Sequence, residues 1–143
     1  MPPTYFFILL FLSIALHFIF PIVKIIYPPY TYAGFALITL GAILNLWADF
    51  LLKKNKTTVK PHKSPTSLIT SGPFSISRNP QYLGFTAILL GVVVLHGTLI
   101  MFAFPVIFAI IMETKFIPME EKNLEKAFGE KYREYKKKVR RWI

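Results

Sequence analysis

Residues 82–112, YLGFTAILLGVVVLHGTLIMFAFPVIFAIIM, decide the fold of this chain because they contain no charged side chain. As one helix, a run of that length would extend about 46 Å, well beyond the roughly 30 Å hydrocarbon core of a bilayer. His96-Gly97 lies near its middle, and glycine at such a place is typical of a tight turn. The run therefore predicts a hairpin of two membrane helices, over about residues 82–95 and 98–117, the second ending at Pro118.

Two further apolar runs precede this hairpin, Tyr5–Val23 and Tyr30–Leu52. As helices they reach about 29 and 35 Å, enough to cross the hydrocarbon core. The chain is 54% hydrophobic and yet carries a net charge of +10, and a soluble domain of this size cannot bury that much apolar surface. We therefore expect an all-α polytopic membrane protein in which residues 1–143 form one membrane-embedded domain with four transmembrane helices.

The basic residues are unevenly distributed along the chain. Of 17 Lys and Arg side chains, one precedes residue 53, six lie in 53–81 and ten in 115–143. Since Lys and Arg concentrate in cytoplasmic loops, the loop 53–81 and the tail are predicted to be cytoplasmic. With four spans, both termini of this integral membrane, multi-pass protein then lie in the cytoplasm.

The tail, residues 119–142, has one apolar helical face. Its members recur every three or four positions: Leu124, Ala127, Phe128, Tyr132, Tyr135, Val139 and Trp142. A basic amphipathic helix of this kind is expected to lie in the headgroup region, with its Tyr and Trp side chains at the interface. Gly129 interrupts the pattern and is a possible bend.

Arg78-Asn79-Pro80 lies where the third span begins. Pro80 keeps Asn79 out of the α region and suits the first turn of a helix, and Asn is a favoured N-cap residue. The unpaired N–H groups of a helix start, its dipole and the Arg78 guanidinium together suit a carboxylate or a phosphate. Plain structural capping is the alternative.

Glu120 and Glu121 lie just after the last span, near the expected inner surface. Acidic residues in a first helical turn complement its dipole, but carboxylates at membrane depth are also site candidates. The chain has no cysteine and only three scattered histidines, which excludes thiolate chemistry and predicts no metal site.

Polar residues inside the apolar runs have two interpretations. Asn45 and Asp49 are four apart and share a helical face. They either line the same cavity as Arg78, or Asp49 merely extends towards Lys53. His17 is expected to hydrogen-bond a neighbouring helix.

Three sequence blocks occur in a particular order: Leu68-Ile69-x-x-Gly72-x-Phe74, Arg78-Asn79-Pro80-x-Tyr82-x-Gly84, and Glu120-Glu121-x-x-Leu124 continuing to Phe128-Gly129-x-x-Tyr132-x-x-Tyr135. Together they resemble the isoprenylcysteine carboxyl methyltransferase family and the related phospholipid N-methyltransferases, over roughly residues 62–142. The resemblance implies several membrane helices, with S-adenosylmethionine held on the cytoplasmic side by the C-terminal half.

Position by position, the resemblance implies a set of cofactor-binding residues: Thr66, Ser67, Leu68, Ile69, Phe74, Asn79, Pro80, Gln81, Tyr82 and Glu120. Arg78 and Glu121 are the candidate catalytic residues. Charge agrees, because the cofactor carboxylate suits the helix start beside Arg78 and its ammonium suits Glu120 or Glu121. Phe74 or Tyr82 suits the adenine or the sulfonium.

The chain departs from the family pattern at two kinds of position. Many relatives carry His where Thr66 and Asn79 stand, so no imidazole acts there. Relatives that methylate carboxylates place Arg at the position of Phe116. A prenylcysteine carboxylate would therefore lack its expected cation unless the adjacent Lys115 substitutes.

The expected reaction is in-line transfer of a methyl group from S-adenosylmethionine to a lipid-like acceptor. The acceptor is either an isoprenylcysteine-type carboxylate or a lipid amine, and an amine must lose a proton, with Glu121 or Asp49 as candidate bases. Two alternatives remain, a nicotinamide-dependent membrane reductase of the sterol type and a non-catalytic module that binds anionic lipid. The expected partners are the membrane lipid bilayer and the acceptor, with no nucleic acid.

Overall fold

The computed structural model describes residues 1–20, 23–58 and 65–143. Its helices are α1 (Pro2–Ile19), α2 (Ala33–Lys54), α3 (Pro80–His96), α4 (Ala103–Ile111), α5 (Ile117–Phe128) and α6 (Glu130–Lys138). Within these ranges the regular structure is helical apart from one isolated bridge between Lys24 and Thr98. Residues 21–22, part of the predicted first span, and 59–64, part of the predicted loop, lie outside the described residues.

Three helical stretches are long and apolar enough to cross a membrane: Pro2–Ile19, Tyr30–Lys54 and Leu99–Phe128. α3 is a fourth apolar helix, of 17 residues, or about 26 Å. Large apolar side chains such as Phe11, Leu46 and Ile110 point out of the protein, as lipid contact requires. The prediction of an all-α polytopic membrane protein is confirmed.

Glycines bring α2 and α3 into backbone contact. Gly34 faces Gly91 and Gly41 faces Gly84, so the two helices run antiparallel. A Cβ added to Gly41 would lie 2.6 Å from the Gly84 carbonyl oxygen, and one added to Gly84 would lie 2.7 Å from that of Gly41. Small residues permit this close approach between membrane helices. The contact fixes the start of α3 beside the end of α2.

Pro118 does not interrupt the helix that contains the last span, contrary to the prediction. A π-helical turn, Met112–Phe116, joins α4 to α5, and the Ile117 N–H donates to the Met112 carbonyl. Pro118 lies in the first turn of α5, where a missing N–H is tolerated. The helix therefore continues and carries Glu120 and Glu121 on its extension.

At the opposite end, α3 and α4 form the predicted hairpin. α3 ends at His96, and Gly97 takes a left-handed φ of +70°, which suits glycine at a helix C-terminus. The Gly97 carbonyl accepts a hydrogen bond from the Ile25 N–H at 2.7 Å. His17 lies 2.8 Å from the hydroxyl of Thr98, so it contacts this turn rather than a neighbouring helix.

The tail is two helices, not the single helix predicted over 119–142. α5 ends at Phe128, Gly129 takes a φ of +51°, and α6 follows. Tyr132 and Tyr135 are 1% and 7% exposed, so they pack inside the protein and not at a lipid interface. After α6 the chain returns to α3, where the Arg78 N–H donates to the Arg140 carbonyl at 2.9 Å.

Candidate functional site

A narrow cleft with an internal volume of only about 10 Å³ lies at the start of α3. Its lining residues come from the turn before α3, from α3 itself and from α5: Phe74, Arg78, Asn79, Pro80, Gln81, Tyr82, Glu120 and Leu124. All but Leu124 are among the site residues that the sequence predicted. Ligand pockets usually begin at about 300 Å³, so the cleft is nearly closed, with its lining side chains packed against one another.

The residues before α3 bind the C-terminal segment. Pro80 occupies the first turn of α3, as predicted, but the expected capping bond from Asn79 is wrong. The Asn79 side-chain amide instead donates to the Arg141 carbonyl at 3.1 Å, and Ser77 Oγ donates to the same carbonyl at 2.9 Å. The first-turn N–H groups of α3 therefore have no side-chain cap among the described residues.

Tyr82 and Glu120 join α3 to α5 across the cleft. The Tyr82 hydroxyl donates a hydrogen bond to Glu120 Oε1, and the two residues are 5% and 4% exposed. A buried carboxylate needs such a donor because leaving it unpaired is costly. Of the two adjacent glutamates, Glu120 is the one that lines the cleft.

Arg78 is buried, with 10% of its side chain exposed, and its Nη1 lies 2.9 Å from Glu121 Oε1. The two atoms are close, but the N–H groups of Nη1 are not aligned with the carboxylate oxygen for a hydrogen bond. Within the described residues, neither Nε nor Nη1 of Arg78 has a hydrogen-bond partner. Buried donors without a partner are rare in folded proteins, so these nitrogens make Arg78 a candidate to bind an anion.

Glu121 belongs to an ion-pair cluster formed with the C-terminal segment. Arg141 donates to both Glu121 oxygens, at 3.0 and 2.8 Å, and to Glu113 at 2.5 Å. Trp142 Nε1 donates to the other Glu113 oxygen at 2.9 Å. Hydrogen bonds to Glu121 and Glu113 raise the pKa of Arg141 above its usual range. Both Glu121 oxygens are thus engaged by guanidinium groups, which argues against Glu121 as the general base.

The predicted cofactor residues before Phe74 do not share the cleft. Thr66 Oγ1 donates to the Lys56 carbonyl at 2.9 Å, and the Ser67 N–H donates to Thr57 Oγ1 at 3.1 Å. These two residues thus fasten the loop to the end of α2. Ile69 packs against the small apolar cluster of Ala48, Leu52 and Phe74.

Leu68 lines a second, open groove of about 410 Å³. The other lining residues come from the loop and from α5 and α6: Thr70, Phe128, Lys131, Glu134, Tyr135 and Lys138. The Tyr135 hydroxyl donates to the Phe74 carbonyl at 2.5 Å, so this groove adjoins the cleft. Tyr132 precedes Tyr135 on α6, and burial raises the pKa of Tyr132 to about 12.

Asp49 is not in the cleft. Its carboxylate lies 2.6 Å from Lys53 Nζ, with both side chains well exposed, as the second interpretation of this residue expected. Asn45 donates to the Gly41 carbonyl of its own helix at 3.1 Å. Asp49 therefore loses support as a candidate base.

Lys115 also lies away from the cleft. Its ammonium lies 3.3 Å from the hydroxyl of Tyr5 on α1 and over the ring of that residue. Phe116 is buried in the apolar core beside Tyr5. Neither residue supplies a cation to an acceptor carboxylate.

Sequence reasoning missed the contribution of Glu113, Arg141 and Trp142. Arg141 reaches Glu121 across 20 positions and Glu113 across 28, and no periodic pattern encodes contacts at such separations. The sequence analysis placed Trp142 at a lipid interface, whereas it bonds to Glu113. The one available signal was an acidic residue, Glu113, inside an otherwise apolar span.

The helices are apolar enough to span a membrane, and a buried polar cleft lies at one end of the bundle. These two features define an integral membrane protein with a candidate ligand site. The family model of the phospholipid methyltransferases matches residues 30–131, and the chain belongs to this family. It is also similar to an uncharacterised protein of Haemophilus influenzae, with 39% identity over 63 residues, which cover 44% of this chain and all of that protein. Family membership supports a membrane methyltransferase.

Proposed function

We propose that the chain is an S-adenosylmethionine-dependent methyltransferase that acts on a lipid-like acceptor at the cytoplasmic face of the membrane. The observation that carries this proposal is the cleft at the start of α3. There Arg78, whose Nε and Nη1 have no hydrogen-bond partner in the part of the chain that the structure describes, and the buried carboxylate of Glu120 line one small space, within the residues that match the family.

The charges of the cleft suit the amino-acid part of the cofactor. Arg78 and the uncapped N–H groups of α3 are suited to its carboxylate. Glu120 is suited to its ammonium, and Phe74, also in the lining, suits the adenine or the sulfonium. The cofactor, when bound, would supply a methyl group activated by positively charged sulfur.

The protein's own contribution to the reaction is alignment and exclusion of water. The Tyr82–Glu120 bond and the glycine contact between α2 and α3 connect the helices on which the cleft is built, so these helices would hold a bound donor and acceptor in one orientation. The apolar surroundings keep water from the reacting atoms. The cleft is smaller than a typical ligand site, so binding would require its lining to move apart.

The positions of Lys115 and Phe116 favour a lipid amine as the acceptor. A carboxylate acceptor needs a cation besides the one that binds the cofactor. Lys115 does not supply this cation to the cleft, because it contacts Tyr5 at an exposed position of the protein. An amine needs no such partner but must lose a proton. The two carboxylates expected to act as base, Glu121 and Asp49, are both engaged in ion pairs. Of the three carboxylates, Glu120 is the one that lines the cleft.

The distribution of charge supports a cytoplasmic position for this site. The end of α2, the start of α3 and the tail meet at one end of the bundle, and 16 of the 17 basic residues belong to the sequence segments 53–81 and 115–143. The positive-inside rule then orients that end, with both termini, towards the cytoplasm.

Calorimetry on the detergent-purified protein tests the proposal. The protein should bind S-adenosylhomocysteine and not a reduced nicotinamide nucleotide. Arg78→Ala should abolish or strongly weaken that binding because the cofactor carboxylate loses its cation. Arg133→Ala is the matched control, since Arg133 is exposed and pairs only with Glu125 and Glu130 among the described residues. Binding of the nicotinamide nucleotide alone would support the reductase alternative, and binding of neither would support the lipid-binding module.

A further inference from the structure

Arg141 lies ten positions beyond the last residue that matches the family model, yet its side chain contacts Glu121 and its carbonyl contacts Asn79 in the lining of the cleft. We propose that Arg141 is a positioning residue. By neutralising Glu121, it keeps the Arg78 guanidinium available to an anionic group in the cleft. This inference rests on the proposed function, in which that group is the carboxylate of the cofactor.

The geometry around Glu121 divides its two guanidinium partners unequally. Arg141 donates to both oxygens, the two-pronged arrangement that binds a carboxylate most firmly. Arg78 makes one close contact with Oε1 and keeps Nε and Nη1 without hydrogen-bond partners among the described residues. Glu121 therefore accepts its aligned hydrogen bonds from the tail, and Arg78, which also faces Tyr132, keeps only the ion-pair contact with Glu121.

The backbone holds Arg141 in this position. Its carbonyl accepts hydrogen bonds from Ser77 and Asn79, and the preceding carbonyl of Arg140 accepts one from the Arg78 N–H. Glu113 and Trp142 complete the contacts of the segment. Without the Arg141 guanidinium, the carboxylate of Glu121 would have Arg78 as its nearest cation and would draw it into a full ion pair.

Substitution of Arg141 separates this positioning role from a merely structural one. Arg141→Ala should weaken binding of S-adenosylhomocysteine about tenfold, the value of one charge-assisted hydrogen bond. It should leave binding of 5′-methylthioadenosine, which lacks the carboxylate, unchanged. Arg140→Ala is the matched control, because that exposed side chain lies next to Arg141 and only its backbone carbonyl contacts Arg78. An equal loss for both ligands would overturn the proposal.

Removal of the Glu121 charge provides the second test. Adding Glu121→Gln to Arg141→Ala should restore the affinity for S-adenosylhomocysteine, since no carboxylate is then left to capture Arg78. If the tail only holds the helices together, the double variant should show no such rescue. The elution volume on size exclusion confirms that each variant is folded.

Chemical labelling of Arg78 tests the inference without the cofactor. Phenylglyoxal modifies guanidinium groups that are not engaged in firm ion pairs, and mass spectrometry of the Arg78 peptide reports the rate. Arg141→Ala should slow this labelling, and the double variant should restore it. Faster labelling of Arg141→Ala would show that the tail merely covers Arg78. A wild-type protein that labels as expected but binds no S-adenosylhomocysteine would refute the proposed function and leave the Arg78–Arg141 relationship standing.

Discussion

The Tyr82 hydroxyl on α3 donates a hydrogen bond to Glu120 on α5, a residue 38 positions later. Both side chains are almost completely buried, so the bond is a shielded polar link between these two helices. It sets the distance between the start of α3 and the extension of the last span. The site is thus built on helices, which hold side chains more rigidly than loops do.

Loss of this bond should destabilise the protein. Tyr82→Phe keeps the ring and leaves Glu120 without its donor, a cost of about 1–3 kcal/mol. The free energy of unfolding in detergent, measured by denaturant titration, checks this value. Tyr27→Phe is the control because Tyr27 is exposed, and it should change little. Equal stability of the two variants would mean that Glu120 finds another partner.

The two adjacent glutamates should differ in their effect on cofactor binding. Glu120 lines the cleft, whereas both oxygens of Glu121 are engaged by Arg141. Glu120→Gln should weaken the binding of S-adenosylhomocysteine about tenfold or more, because the ligand ammonium loses its counter-charge. Glu121→Gln should leave that affinity within a few-fold of wild type. Calorimetry on both variants compares them, and the reverse order of effects would contradict the assignment.

The backbone contact between α2 and α3 should tolerate no added side chain. In Gly84→Ala the new methyl group would lie 2.7 Å from the Gly41 carbonyl oxygen, so the helices would have to separate. Such overpacking costs about 1–3 kcal/mol, more than the helix propensity that alanine gains. Thermal unfolding in detergent measures the loss. Ala36→Leu, at an exposed position of α2, should leave the unfolding temperature unchanged.

Much of the fold could be predicted because membrane helices are encoded by local composition. The apolar runs gave α1 to α4, and the His96-Gly97 hairpin followed from a single glycine. The continuation through Pro118 could not be foreseen, because it depends on a π-helical turn that only the backbone reveals. The tail, in contrast, divides into two helices at Gly129, the residue whose interruption of the periodic pattern had indicated a bend.

The candidate site likewise contains residues that the local sequence predicts and residues that only the tertiary structure identifies. The residues that line the cleft cluster around the start of α3 and the first turn of α5, where motif and helix-start chemistry coincide. Thr66, Ser67 and Ile69 instead contact α2, since their loop folds back onto that helix. The ion pairs of Arg141 depend on the return of the tail to α3, which is a tertiary contact with no local signal.

Stability should fall at alkaline pH partly because of Tyr132. Burial raises its pKa from an ordinary 10.0 to about 12 in the folded state. The folded protein thus binds its proton more tightly, and the contribution is complete below pH 10 and lost as the pH rises from 10 to 12. Tyr132→Phe should flatten this part of the profile of unfolding free energy against pH. Tyr27→Phe should keep the wild-type slope, and an unchanged slope in Tyr132→Phe would place the alkaline loss elsewhere.

The chemistry of the methylated product distinguishes the two acceptor classes. Membranes that contain the protein, incubated with methyl-labelled S-adenosylmethionine, should transfer label to a lipid-extractable product. Lys115 contacts Tyr5, and Phe116 is an uncharged residue of the apolar core. Because neither side chain offers a cation to an acceptor carboxylate, we expect an N-methyl group. Such a group survives mild alkali, whereas a carboxyl methyl ester releases its label as volatile methanol. Membranes with Arg78→Ala provide the background, and label that depends on Arg78 but becomes volatile in alkali would assign a carboxylate acceptor instead.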